Sequence, residues 1–182
     1  MKLKRLQKMS YFLHITLKIL SVGAILVAAL AIVLKLFNRN NISINKMELN
    51  TILNFNTEYF VGNDISQYVQ TEEWLTVGIS VLYAILIAWM LWIASTIFKD
   101  LAAEFTPFND VEIKRLHRIA QLMLVYALGP QILYSALHTI LIPGYSIHLG
   151  LDMAFFFAVI FYCLTEIFRY GAALQKESDE TL

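Results

Sequence analysis

Apolar residues in this chain gather into four long runs, at positions 19–34, 75–98, 119–142 and 149–168, and the segments between them hold most of the charge. A hydrocarbon core about 30 Å thick is crossed by a helix of roughly 20 apolar residues, fewer where flanking side chains reach the headgroups. The pattern therefore predicts an all-α polytopic membrane protein, with four transmembrane helices in one bundle at 19–37, 74–98, 119–142 and 149–170. The remaining segments are an N-terminal helix extension (1–18), an outer loop (38–73), a loop and helix start (99–118), a short outer turn (143–148) and an acidic tail (171–182). All belong to one domain.

Composition strengthens this reading. Of 182 residues 58% are apolar, and the mean hydropathy is +0.61; a soluble domain of this length cannot hide so much apolar surface. The first run, preceded by Lys2, Lys4, Arg5 and Lys8, is read as a retained span rather than a secretory leader. It outlasts the roughly 7–15 apolar residues of a leader and continues past Ala29 and Ala31 to Phe37. Lys18 and Lys35 bracket it about 25 Å apart along a helix, with both side chains expected to reach toward opposite headgroup layers.

The charges set an orientation. Lys2, Lys4, Arg5, Lys8, Lys18, Lys99, Lys114, Arg115, Arg118, Arg169 and Lys176 fall on one side, against Lys35, Arg39 and Lys46 on the other. Positive charge collects in the cytoplasm, so both termini and the 99–118 loop are expected there. The 38–73 loop and the 143–148 turn then face outward. Trp74 sits where an interfacial aromatic is expected, at the outer entry of the second helix. The net formal charge is zero and no basic tract is long enough for direct nucleic-acid binding.

Between the spans, the pattern predicts local structure. Leu3, Leu6, Met9 and Leu13 alternate with basic residues at helical spacing, as in a helix start lying against headgroups or offering a docking surface. Met47, Ile52, Leu53 and Phe60 are spaced for a short amphipathic helix in the outer loop, which either caps the bundle or senses an external ligand. The helix before Thr106 must end there, because a residue preceding proline avoids α geometry. Asn109 is a good N-cap, with Asp110 and Glu112 facing the positive helix end and Glu112 placed as in a capping box. Phe105 and Phe108 are expected to anchor this turn.

In lipid, leucine against leucine drives little association, whereas small residues allow close approach. Ala24 with Ala28, Ala84 with Ala88 and Ala154 with Ala158 each put two small residues on one helix face, for contacts within the bundle or between copies in a homo-oligomer. Gly129-Pro130 bends the third helix, as a static packing bend or a hinge. Ionisable groups at membrane depth are costly and often functional. Counting helical rise brings His138 level with Asp152 near the outer boundary, and Arg118 level with Glu166 near the inner one. Two cross-helix pairs are expected, acting as staples or as an ion-responsive site.

Enzyme chemistry is thin. Metalloprotease, nucleophile-elbow and phosphate-loop motifs are missing, and His14, His117, His138 and His148 do not cluster at metal-ligand spacing. Cys163 stands alone within the fourth run, where a small buried apolar role is expected. The expectation is a non-enzymatic protein with no cofactor or metal.

Two stretches carry a family resemblance. One holds Thr106, Pro107, Phe108 and Asn109, then Arg115-Leu116 and Ile119-Ala120. The other runs from Ile167 to Leu182 and includes Gly171, Leu174, Gln175, Glu177, Asp179 and Thr181. With four spans in the same order, these resemble the bacterial membrane family DUF2975. The resemblance implies a multi-pass protein of the bacterial cytoplasmic membrane without assigned biochemistry. It implies, by analogy, a partnership with a cytoplasmic helix-turn-helix regulator, and it carries over no catalytic or ligand residues. The reading it favours is a sensor or immunity-like regulatory partner, with the lipid bilayer as the other partner. The alternative is a small transporter or channel subunit. The acidic tail either folds back on Lys114, Arg115 and Arg118 or faces a cytoplasmic partner.

Overall fold

A computed structural model describes residues 2–37, 53–58, 65–103, 109–142 and 144–180. Four helices dominate it: α1 (Lys2–Phe37), α2 (Ile65–Ala103), α3 (Asp110–Leu141) and α4 (Met153–Glu180). All four are long and apolar enough to cross a membrane. Each packs on its neighbours in sequence, α1 on α2, α2 on α3 and α3 on α4. Burial follows that row: 28% of the most apolar stretch is buried in α2 and in α3, against 11% in the end helices α1 and α4. The large apolar side chains left exposed along α1 and α4 are what lipid would cover.

The α1–α2 contact is antiparallel and regular. Ser10, Ser21, Ala28 and Lys35 are buried on α1, with His14, Leu17, Ala24 and Ala31 half-buried between them. These positions alternate in steps of three and four, the 3.5-residue period of a left-handed supercoil. The seam is built from small and polar residues rather than large apolar ones, as expected where the solvent is hydrocarbon. Ser21 donates to the Ala88 carbonyl at 2.8 Å. Seven residues away on each helix, Ser95 donates to the His14 carbonyl at 3.0 Å, and His14 Nδ1 lies 2.8 Å from the Ser95 carbonyl. The expected small-residue pairs are at helix contacts, with Ala28, Ala88 and Ala158 all buried.

Between the Ser21 and His14 fastenings Lys18 sits 5.4 Å over the Trp92 ring, at the edge of the seam. At the last seam position of α1, Lys35 is ion-paired with Glu73. Lys35 was expected to reach into the headgroups; it is only 3% exposed, because Glu73 across the seam gives its ammonium a partner.

Two strands complete the fold, and the hydropathy reading did not anticipate them. β1 (Leu53–Glu58) and β2 (Gly144–Leu149) pair antiparallel, with Leu53 opposite Leu149 and Glu58 opposite Gly144. Leu53 thus lies in a strand, not in the amphipathic helix expected of the loop; Met47, Ile52 and Phe60 lie outside the described residues. The 143–148 turn is likewise mostly strand. One strand belongs to the α1–α2 connection and the other to the α3–α4 connection, so the pairing holds both connections at the same end of the helices.

Two helices exceed their expected lengths. α2 begins at Ile65, ahead of the expected start at 74, and α4 runs through Gly171 to Glu180 instead of giving way to a separate tail. One glycine inside a helix costs about 1 kcal/mol, and the helix-favouring run Ala172-Ala173-Leu174-Gln175-Lys176 outweighs it.

Candidate functional site

Two polar constellations stand out, one in the second half of α3 and one at its start. The first is where β2 meets α4. Gln131, 2% exposed on α3, clasps Gly150: its Nε2 donates to the Gly150 carbonyl at 3.1 Å, and its Oε1 accepts from the Gly150 amide at 2.7 Å. The same Nε2 donates to the Ala127 carbonyl at 2.8 Å. Gln131 lies ten residues before the end of α3, about 15 Å back along its axis. β2 therefore runs back along α3 and delivers the chain to α4 inside the span. Non-helical backbone at that depth must have its amide and carbonyl satisfied by protein, and one side-chain amide does both. Pro130 is fully buried beside it, in a helix that continues through it.

Asp152 then caps α4: its Oδ1 accepts from the Phe155 amide at 3.2 Å. It lies within electrostatic reach of Tyr83 and Tyr126, whose rings meet edge to face at 4.9 Å. The expected His138–Asp152 pair is not formed. The Gln131–Gly150 clasp sets Asp152 about 10 Å deeper than His138 along α3. His138 instead packs its ring on Tyr134 at 5.6 Å, and its carbonyl accepts from the Ile142 amide that ends α3.

The second constellation is at the start of α3. There α3 is flanked by α2 and α4, which do not pack on each other. The result is a groove of about 470 Å³ walled by Ile97, Phe98 and Leu101 of α2 and by Leu164 and Phe168 of α4, with Leu116 of α3 among its lining. That volume lies in the range of small-molecule pockets, about 300–1,000 Å³. Asp100, Asn109 and Glu112 give it polar groups. Asn109 caps α3 as expected, accepting from the Val111 amide at 3.3 Å. Glu112 does not close the capping box. Its Oε1 accepts from Arg115 Nη1 at 2.7 Å, the same nitrogen that donates to Asp100 at 2.5 Å. Its Oε2 is buried without a hydrogen-bond partner among the described residues. The Glu112 carboxyl, outside the apolar run that starts near Ile119, is pushed above its ordinary pKa by burial, pulled back by Arg115 and pushed up again by the neighbouring Asp100 carboxylate.

The other expected residues do not join this cluster. Glu166 pairs with Arg169 one turn along the exposed face of α4, at 3.0 Å, leaving Arg118 exposed and the expected Arg118–Glu166 pair unmade. A tail folded back on Arg115 is likewise replaced, because Asp100 and Glu112 already hold that guanidinium. Leu174, Gln175 and Glu177 are exposed on the helical extension of α4, and Gly171 is half-buried there. Thr106, Pro107 and Phe108, the Phe105 anchor and Thr181 lie outside the described residues, as does the side chain of Asp179. Cys163, expected to be buried, is exposed on α4. Among the described residues no three His, Cys, Asp or Glu side chains are grouped to hold a metal ion.

Sequence reasoning missed Gln131, Glu112's partnership with Arg115 and Asp100, and the groove itself. No curated protein and no solved structure matches the chain. A family model described as a protein of unknown function matches residues 63–182, from just before α2 to the last residue, leaving α1 outside. Because that match takes in more than half of the sequence, including every position that carried the resemblance, the chain belongs to the DUF2975 family.

Proposed function

We propose that this is a non-enzymatic component of a bacterial cytoplasmic membrane that acts as a sensor or regulatory partner for a cytoplasmic DNA-binding protein. The basic end of the helices is the cytoplasmic one in this reading, by the distribution of lysine and arginine. The observation that carries it is the helical platform at that end. α3 starts nine residues before its apolar run at Ile119, and α4 continues past Tyr170 with an exposed, charged surface through Glu180. A rigid helical extension presents side chains to a partner in a fixed geometry. The paired strands at the opposite end are the part that would meet an external signal.

Affinity purification of the full chain in detergent tests this. The expected result is recovery of a DNA-binding protein whose target transcripts change when the membrane protein is removed. Deleting residues 171–182 or replacing the Phe105 to Asn109 turn should abolish that recovery. If neither change alters any protein contact or any transcript, the reading fails.

A transporter or channel subunit is the second reading. It draws on the non-helical junction at Gly150 inside the span, since transporters place binding sites where helices break. Against it, Glu166 sits on an exposed face and supplies no second polar station. Asp152→Asn should abolish a measurable flux if this reading holds, and unchanged flux would remove it.

A further inference from the structure

We infer that the groove between α2 and α4, over the start of α3, binds a membrane phospholipid whose headgroup carries a primary ammonium. The inference does not depend on the regulatory reading.

The shape comes first. The groove is lined by apolar side chains from three helices, and no described helix covers it, because α1 packs only on α2. Its walls run from Ile97 to Leu101 on α2 and from Leu164 to Phe168 on α4, the stretches where those helices leave their apolar runs. A chain entering sideways from the bilayer would lay acyl carbons along Leu164, Phe168 and Ile97 with its headgroup toward α3's first turn. Lipid tails are already present at this depth, so filling the groove with one needs no apolar surface to leave water.

The headgroup is chosen by charge. An ammonium placed beside Glu112 favours its ionised form over the neutral one that burial favours. Asp100, Glu112 and Arg115 then carry one net negative charge, with the single guanidinium spent on both carboxylates. Glu112 Oε2 remains a buried acceptor with no donor among the described residues. A buried polar atom left unmatched is costly, and a charged donor matches a carboxylate oxygen best. A primary ammonium brings three N–H donors. A quaternary choline head brings charge but no donor, and a glycerol head brings neither charge nor a strong donor. The phosphate beside the ammonium would find cations in the same layer, where Lys99, Lys114 and Arg118 are all exposed. A zwitterion with its cation against Glu112 and its anion among these side chains satisfies both.

Native mass spectrometry of the full chain, released from detergent after equilibration with defined phospholipids, tests this. Phosphatidylethanolamine should be retained at least fivefold over phosphatidylcholine and phosphatidylglycerol of the same acyl chains. Glu112→Gln, which keeps the shape but removes the charge, should erase that preference. Leu164→Trp, which fills the groove from the α4 wall, should reduce retention of all three lipids. A long-chain alkylamine should displace bound phosphatidylethanolamine, while a short water-soluble amine should not, separating a lipid site from a plain cation site. Equal retention of the three lipids by the native chain would overturn the assignment. So would an ethanolamine preference that persists in Glu112→Gln while the variant keeps the native unfolding temperature.

Discussion

The α1–α2 and α3–α4 pairs meet the same demand, satisfying polar groups in hydrocarbon, by different means. Along α1–α2 the backbone is helical throughout, so its own hydrogen bonds are made. The polar side chains there act only as fasteners between two complete helices, as Ser21 does at Ala88 and Ser95 at His14. At α3–α4 the chain leaves helical geometry inside the span. The backbone at Gly150 then has no partner of its own, and Gln131 becomes a substitute neighbour for it. The contrast teaches that a buried polar residue in lipid matters most where it replaces backbone pairing, and less where it adds to it.

The largest expected effect sharpens that contrast. Gln131→Met keeps the length and volume but leaves both backbone groups of Gly150 unmatched, at about 1–3 kcal/mol each. A loss of about 2–6 kcal/mol is expected in thermal unfolding in nanodiscs. A loss no greater than that of Ser21→Ala would break the comparison. Ala88→Leu comes next: Ala88 is 3% exposed against α1, so extra methylenes there must push the helices apart, at about 1–3 kcal/mol. The same assay reads it, and a compensating large-to-small change on α1 should restore part of the loss.

Lys35→Met is expected to cost about 1 kcal/mol, since Glu73 keeps contact with solvent and screening discounts the pair. The double variant with Glu73→Met should regain most of it. Ser21→Ala is the smallest, about 0.6 kcal/mol, the mean measured for hydrogen bonds between membrane helices. A cost for Ser21→Ala well above that for Ala88→Leu would mean that the seam is held by its hydroxyls rather than by close approach.

How much of this could be read from the residues differs between the two pairs for the same reason. The four spans follow from length and hydropathy alone, because hydrocarbon admits only closed backbone pairing. The α1–α2 seam was half legible, since Ala24, Ala28, Ala84 and Ala88 repeat at helical spacing. What spacing did not reveal was Lys35 turned into the seam, because its partner Glu73 is distant in sequence. The strands carried a local signal that went unused. Leu53, Phe55 and Thr57 alternate with Asn54, Asn56 and Glu58, and Tyr145, Ile147 and Leu149 alternate with Ser146 and His148. That is the period-two pattern of a strand, but each run is only six residues long, and Ile52 and Leu53 also fit the helical spacing read in the outer loop.

Gln131 and the groove left no such trace. A glutamine one residue after a proline reads as an ordinary polar residue in a bent helix until the β2 path is known. The groove depends on how far α2 and α4 stand apart, which no local pattern encodes. The Asn109 cap was legible because it needs only the next two residues. The Glu112 box failed because Arg115, one turn on and held by Asp100 across the groove, competes for the same carboxylate.

Chemical labelling of the chain in intact cells tests the central arrangement most directly. In a Cys163→Ala background, Glu58→Cys at the end of β1 should react with a membrane-impermeant maleimide from outside. Gln175→Cys on the extension of α4 should react only after the membrane is opened. Reaction of both positions from the same side would contradict four crossings with the paired strands at one end and the α4 extension at the other.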